Sequence, residues 1–345
     1  MTKVAVVILN WNTETILREF LPNVVKHTPR ADHQIYLIDN GSTDSSLPYV
    51  QSEFPEVSVI PLDKNYGFTG GYQRGLESIE ADYFILLNSD VAVTPQWTIP
   101  MLERMQKNPK IAACQPKILS YKEPSFFEYA GAAGGFIDYL GYPFCRGRIF
   151  NQVEKDEGQY NEAGPIFWAS GAALMVRSDV YRKLGGLDEH FFAHMEEIDL
   201  CWRFHNAGYE VWYEPQSIVY HLGGGTLPNE SPRKIYLNFR NNLYLLHKNL
   251  PEKGLRSLIF RRKLFDGLAA IQFLLRFKFD FVWSILRAHR DYKKHIPELE
   301  RQRKNSTIDK ESLHYPAGVY HESIVLTFFL KGKKRYRDLN LDSIS

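Results

Sequence analysis

The feature that most constrains this chain is a series of short apolar runs, rich in β-branched residues, each ending abruptly in polar ones. Residues 4–9, 35–38, 57–61, 83–87 and 111–116 have strand length, and 16–26 between the first two has a helical period. That alternation predicts βαβ units: an α/β fold with a Rossmann-like mixed, mainly parallel sheet flanked by helices. In such sheets ligands sit beyond the carboxyl ends of the strands, so the residues just after each run are the candidates. They are Asn10-Trp11-Asn12, Asp39-Asn40-Gly41-Ser42-Thr43-Asp44 and Asn88-Ser89-Asp90, three polar clusters expected on one rim.

Further along, 119–165 loses the rhythm and is rich in Gly and aromatic residues, as a lid or acceptor-facing insertion would be. Regularity returns with a strand at 172–176, a helix opened by Ser178, and a break at Gly185-Gly186. A helix is expected over 196–207, ended by Gly208, then strand-like pieces at 210–213 and 218–221 before Gly223-Gly224-Gly225. Ser231-Pro232 is a good cap and first-turn pair, predicting a helix to Leu250 that stops at Pro251.

Each polar cluster has a chemical and a structural reading. Asp90 ends a buried strand, where its carboxylate offers a hard oxygen to a divalent cation; the alternative is a turn cap. The Asp39 carboxylate suits the imide N–H of a pyrimidine, or an Asx-turn, or both. Asn10, Trp11 and Asn12 frame a nucleoside, unless Trp11 belongs to the core. The turn around Asn65 and Gly67 presents backbone N–H groups to phosphate or sugar hydroxyls, but is neither a Walker A loop nor a dinucleotide fingerprint. Glu196 and Glu197 open a helix, as a general base or as macrodipole caps, while Asp199 is spaced to pair with Arg203. His221, before a glycine loop, either completes a metal shell begun by Asp90 or is structural.

The order of these motifs resembles the family 2 glycosyltransferases with the GT-A fold, in particular their bacterial rhamnosyltransferase-like branch. The resemblance covers about residues 4–250 and rests on segments 6–12, 38–44, 65–71, 86–90, 168–177, 185–192 and 195–203. It implies an inverting transfer from a nucleoside-diphosphate sugar of UDP or dTDP type, rhamnose among the sugars. The acceptor would be a glycan or a polyprenyl-diphosphate-linked glycan, in cell-surface polysaccharide synthesis. It also implies Mg²⁺ or Mn²⁺ held by Asp90 and His221, donor contacts from Asn88 and Ser89, and a sugar and acceptor wall at Trp168, Ser170 and Gly171. Two departures stand out: Asn88-Ser89 leave Asp90 as the one acid of the metal motif, and the usual Glu-Asp of the base motif reads Glu196-Glu197. Glu197 matches the aspartate position and is the expected base, with Glu196 second.

The sequence divides into an expected catalytic domain at 1–250 and a basic, mainly helical region at 251–345. Charge supports the division: 1–254 holds 23 Lys+Arg against 30 Asp+Glu, and 255–345 holds 19 against 10. Such a tail suits the headgroups of an anionic leaflet, or forms a hairpin packed on the catalytic domain with a solvated basic face. Residues 264–286 are apolar but interrupted by Asp266, Arg276, Lys278 and Asp280, so no spanning helix is expected. Residues 4–9 are too short for a signal-peptide core, and three scattered cysteines build no disulfide framework. The expectation is a cytoplasmic enzyme, peripheral on the inner face of the membrane, with no nucleic-acid partner. A sugar nucleotidyltransferase would want a basic Gly-rich loop after the first strand, which Asn10-Trp11-Asn12 does not supply. A non-catalytic carbohydrate-binding protein is the other competing class.

Overall fold

The computed structural model describes residues 2–223, 231–305, 316–340 and 344. Its first half is a wound α/β unit: β1 (Val4–Asn10), α1 (Glu14–His27), β2 (His33–Asp39), α2 (Ser46–Glu53), β3 (Ser58–Pro61), α3 (Gly67–Glu77), β4 (Tyr83–Leu87), β5 (Val91–Val93), α4 (Ile99–Lys107) and β6 (Ile111–Ser120). There follow β7 (Gly135–Asp138), β8 (Pro143–Cys145), β9 (Arg148–Ile149), β10 (Gln152–Val153), β11 (Gly164–Ile166), β12 (Ala173–Arg177), α5 (Ser178–Lys183), α6 (Glu196–Asn206) and β13 (Glu210–His221). The remainder is α7 (Pro232–Asn249), α8 (Leu255–Leu275), α9 (Phe279–Asn305), β14 (Val319–Tyr320) and α10 (Ile324–Phe329).

The main sheet runs β11-β13-β6-β12-β4-β1-β2-β3, with β5 on β13. Pairing is parallel through β4-β1-β2-β3 and between β6 and β13, and antiparallel around β12. The strands read as unbroken apolar runs because both faces are covered: Ala5 and Val7 point into one core, Val4, Val6 and Ile8 into the other. Helix α3 lies unusually close to the sheet. A Cβ on Gly71 would fall 2.7 Å from Leu9, and one on Gly75 2.2 Å from Ile38, so only glycine permits this approach. The predicted strand at 111–116 extends to Ser120, and α2 and α4, whose amphipathic pattern is short, are additions to the sequence reading.

The aromatic-rich stretch that loses the rhythm in the sequence carries a second sheet, β10-β9-β8-β7-β14, whose Phe136, Phe144, Cys145 and Ile149 are core residues. Its strands are two to four residues long, too short for a period of two to be read. Residues 316–340 fold back onto it: β14 pairs parallel with β7, and the Asp138 carboxylate accepts from Ile324 N at 2.9 Å.

Helix α7 begins as its sequence dictates, the Ser231 hydroxyl accepting from Lys234 N at 3.2 Å with Pro232 in the first turn. A buried polar chain pins α8 and α9 to it: Asn242 to Arg262, Arg262 to Asp266 (2.9 Å) and Asp266 to His289 (2.9 Å). Among the described residues no helix is long and apolar enough to cross a membrane.

Candidate active site

Strand register alone gathers the three clusters. Asn10 lies opposite Asp39, and Ile8 opposite Leu87, so 10–12, 39–44 and 88–90 leave the sheet at one rim. The Asn10 amide donates to Asp39 Oδ1 and Ser46 Oγ, both at 2.8 Å, and Asp39 Oδ2 accepts from Ser42 N at 3.2 Å. Asp39 thus closes the turn after β2 with a bond to the residue three on, not the two-residue Asx-turn, and lone pairs remain on its carboxylate, which offers about four acceptor positions. Asn12 takes φ 52° and its Oδ1 accepts from Thr43 N at 2.7 Å, fixing the turn after β2. Trp11 between them is 51% exposed, so it stands at the rim and not in the core.

The glycine turn adjoins this rim. Asn40, unremarked in the sequence beyond its cluster, donates to Asn65 Oδ1 (3.1 Å) and Gly67 O (2.9 Å), and Asn65 Oδ1 also accepts from Gly67 N at 2.7 Å. Gly67 has φ +77°, and a Cβ there would lie 2.8 Å from the ring of Phe192. The glycine turn and the loop before α6 are thus in contact.

His221 lies opposite Val91 in the β13–β5 pair, which sets it beside Asp90. Its Nε2 is 3.1 Å from Asp90 Oδ1 and within 3.4 Å of the Asn88 amide, and half-buried Ser89 lies between those two in sequence. Its Nδ1 faces Glu128 Oε1 at 3.4 Å, an ion-pair distance without hydrogen-bond alignment. Burial alone would lower the imidazole pKa, but Asp90 and Glu128 together raise it to about 10. Burial would raise Asp90, and His221 instead holds it below the usual carboxylate range. Among the described residues no three His, Cys, Asp or Glu side chains form a ready metal cage. A cation would have to displace the proton shared by His221 and Asp90; it would then find one hard carboxylate beside an imidazole and take its remaining ligands from phosphate and water. Gly224 and Gly225 of the expected glycine loop lie outside the described residues.

The acid pair sits on a strained approach. Phe192, His194 and Met195, none of them glycine, have φ of 67°, 68° and 74°, and α6 starts at the next residue. Left-handed conformations cost bulky residues of order 1–3 kcal/mol each, and they persist where surrounding structure imposes them. Here α7 imposes them. The Asn241 amide, fully buried, donates to Phe191 O (2.9 Å), Ala193 O (2.9 Å) and His194 O (2.7 Å), and Arg240 donates to His190 O (3.1 Å) and Phe191 O (3.0 Å).

Glu196 Oε2, Glu197 Oε2 and His194 Nε2 are buried without a hydrogen-bond partner. Three unpartnered polar atoms within four residues leave this stretch open to a ligand's hydrogen bonds, since most buried polar groups are paired. Burial pushes Glu197 up to about 7, and burial with the neighbouring Glu197 raises Glu196 well above the carboxylate range; burial lowers His194 to about 4. Asp199, by contrast, is structural as its spacing implied: it pairs with Arg203 (2.8 Å), Lys248 (2.8 Å) and Asn249 (2.8 Å).

The residues of the expected wall divide. Gly171 faces the site, its Cβ position lying 3.9 Å from Glu197 Cβ and 4.0 Å from Phe68. Trp168 and Ser170 are buried behind it, the indole N–H on Phe136 O at 2.9 Å and Ser170 N on Gln115 Oε1 at 2.9 Å, so they support the wall from within. Glu128, His194, Arg240 and Asn241 escaped the sequence reading. His194, two residues before the acids, carried a signal in its position; Glu128 lay in the stretch without rhythm, and Asn241 is one polar residue in a polar helix.

A mainly parallel sheet ending in polar turns at one rim, with an Asp90–His221 pair after β4 and a buried acid pair at the start of α6, has the layout of a glycosyltransferase of GT-A type. Residues 5–185 match the family described as "Glycosyl transferase family 2", and the chain belongs to that family. It is similar to the N-acetylglucosaminyl-diphospho-decaprenol L-rhamnosyltransferase of Mycobacterium tuberculosis, 27% identical over 234 residues, covering 63% of this chain and 75% of the relative. It is also similar to the low-salt glycan biosynthesis hexosyltransferase Agl10 of Haloferax volcanii, 19% identical over 81% of this chain and 87% of that one. Among solved structures, GalNAc-T7 with UDP, GalNAc and Mn²⁺ superposes with a TM-score of 0.60 at 18% identity, over 86% of this chain and 58% of that chain. The mannosyltransferase PcManGT of Pyrobaculum calidifontis, with GDP-Man and Mn²⁺, gives 0.51 at 10% identity, over 86% and 75%. These two confirm the fold.

Proposed function

We propose that the chain moves a sugar, rhamnose being the first candidate, from a UDP- or dTDP-type donor to a glycan or polyprenyl-diphosphate-linked glycan, with inversion at the anomeric carbon. The observation that carries this is the pair of unpartnered buried carboxylate oxygens of Glu196 and Glu197 beside the donor turn. Rhamnose and the lipid-diphosphate acceptor are supported by the M. tuberculosis relative, whose name states both.

In this reading Asp39 accepts the imide N–H of the base, and Trp11 and Asn12 border the nucleoside. Asn65, Gly67, Asn88 and Ser89 line the diphosphate and sugar. Asp90 and His221 would hold a divalent cation, as the Mn²⁺ complexes of the structural neighbours support, and such an ion supplies Lewis-acid stabilisation of the leaving diphosphate. Glu197 Oε2 takes the acceptor hydroxyl proton as the new C–O bond forms and the bond to diphosphate breaks. Burial keeps that carboxyl near neutrality, where a base is both available and strong enough. The enzyme would work at the inner face of the membrane, its C-terminal helices against the leaflet.

The test is a panel of UDP- and dTDP-sugars with Mg²⁺ or Mn²⁺, read by thermal shift and by release of nucleoside diphosphate. A true donor raises the melting point and is slowly hydrolysed in a metal-dependent way. Pyrophosphate exchange would point to a nucleotidyltransferase, and binding of sugars without turnover of any donor to a carbohydrate-binding protein.

A further inference from the structure

We propose that the groove between α7 and α9 receives the diphosphate of a lipid-linked acceptor, while the exposed apolar faces of α8 and α9 sit in the bilayer that carries the lipid. This rests on the lipid-linked acceptor proposed above, and assigns it a place.

The groove is about 630 Å³ and is walled by Phe192, Arg233, Tyr236, Arg240, Trp283 and Arg287. Three guanidinium groups line it beside two carboxylates, Asp280 in its wall and Asp291, which accepts from Tyr236 Oη at 2.9 Å. Among the described residues neither Arg233 nor Arg240 has a carboxylate within ion-pair distance; Arg240 spends donors on His190 O, Phe191 O and Asn241 Oδ1, and Arg287 pairs with Asp291 at 3.7 Å. Aromatic faces hold the forks: Arg233 over Phe192 (5.0 Å), and Arg240 and Arg287 over Tyr236 (5.3 and 4.8 Å). Arg233, with no paired acid, and Arg287, whose pairing is long and largely exposed, present planar forks suited to phosphate oxygens.

The two ends of the groove say what kind of phosphate. At one end Phe192 belongs to the strained loop before Glu196 and covers Gly67 of the donor turn, so a bound diphosphate would lie next to the reacting centre. At the other, Trp283 is 66% exposed and leads to exposed Phe277, Phe279 and Leu286. On α8, Leu264, Leu268, Ile271 and Leu275 extend the same character along one face at helical spacing. A patch of this size seldom faces water. Around the turn, Arg276-Phe277-Lys278-Phe279 alternates cations with rings, the pattern that suits an anionic leaflet. No described helix is long and apolar enough to cross a membrane, and this apolar face with its flanking cations suits insertion into one leaflet. A soluble sugar phosphate would use the arginines and leave this face uncovered; a lipid diphosphate uses both.

The experiment is flotation of the full chain with phosphatidylcholine–phosphatidylglycerol vesicles, with and without undecaprenyl diphosphate. The wild type should float with both and bind the diphosphate-bearing vesicles more tightly. Arg233→Ala with Arg287→Ala should erase that preference, about 30-fold for two cation contacts at a membrane surface, while still floating. Phe279→Ser with Trp283→Ser should stay with the soluble fraction at an unchanged melting temperature. Equal binding with and without the diphosphate lipid would overturn the groove assignment. Absence of flotation, or a vesicle-free dimer dissolved by the Phe279/Trp283 variant, would overturn the membrane face. Donor hydrolysis into water by the wild type is measured separately: its presence without flotation sinks this inference alone, and flotation without it sinks the catalytic reading alone.

Discussion

Replacing Asn241 by Ala tests whether α7 holds the acid pair in its reactive geometry. The amide has two hydrogens and meets three carbonyls of the loop, at 2.7–2.9 Å, and is fully buried. Alanine leaves two of those carbonyls without a donor, at about 1–3 kcal/mol each, so the loss should be about 2–6 kcal/mol. With an unfolding entropy of about 2.1 cal/mol/K per residue, that lowers the melting temperature of a chain this size by roughly 3–8 °C. The kinetic effect should be larger in proportion. The left-handed conformations at Phe192, His194 and Met195 can relax once their carbonyls are freed, and displacement of a catalytic group by about 1 Å costs on the order of 100-fold. Differential scanning fluorimetry and steady-state transfer at saturating donor measure both. If the melting point falls as expected while kcat stays within about twofold, the loop is not held by α7 and the reasoning fails.

Glu197→Gln should lower kcat by about 100- to 10,000-fold and leave donor affinity nearly unchanged, because a base is needed only when the acceptor reacts; loss of donor binding by calorimetry would assign Glu197 to the donor site instead. The pH–rate profile follows from the same carboxyl: it is active when ionised, so kcat/KM should climb through about pH 7 and level above it. Its raised pKa also favours the folded state below the unfolded carboxylate range, a contribution lost as pH rises through about 7, so the melting temperature should be higher at pH 5 than at pH 8 in the wild type relative to Glu197→Gln. Asp90→Asn should abolish stimulation by Mg²⁺ or Mn²⁺; full activity with unchanged metal dependence in a titration would remove Asp90 from the cation site.

The α/β layout and the rim were legible because parallel strands buried on both faces advertise themselves as apolar runs, and the residues that end them have nowhere to go but the cleft. Asp39 and Asp90 could be named from that rule alone, whereas Glu197 opens a helix and is named from its acid pair and the family resemblance. His221 could be paired with Asp90 only as a possibility of type, since the partnership depends on β13 crossing to β5, a pairing over more than a hundred residues. Glu128 needed the same long-range information. Trp168 and Ser170 were placed by motif on the wall and stand behind it, because a motif records which residues build a region and not which way each side chain turns. Asn241 was invisible for a different reason: its partners are backbone carbonyls, which leave no trace in a sequence.

The pairing of β14 with β7 joins Val319 to Ile137, 182 positions apart. At about 5–20 residues per second, a ribosome delivers the later strand roughly 10–40 s after the earlier one. Through that interval one edge of the small sheet, which carries core phenylalanines, waits without its neighbour. A chain interrupted before that point would keep its nucleotide-type rim and still present an unsealed strand to other chains, so premature termination should yield aggregates and not a slower enzyme.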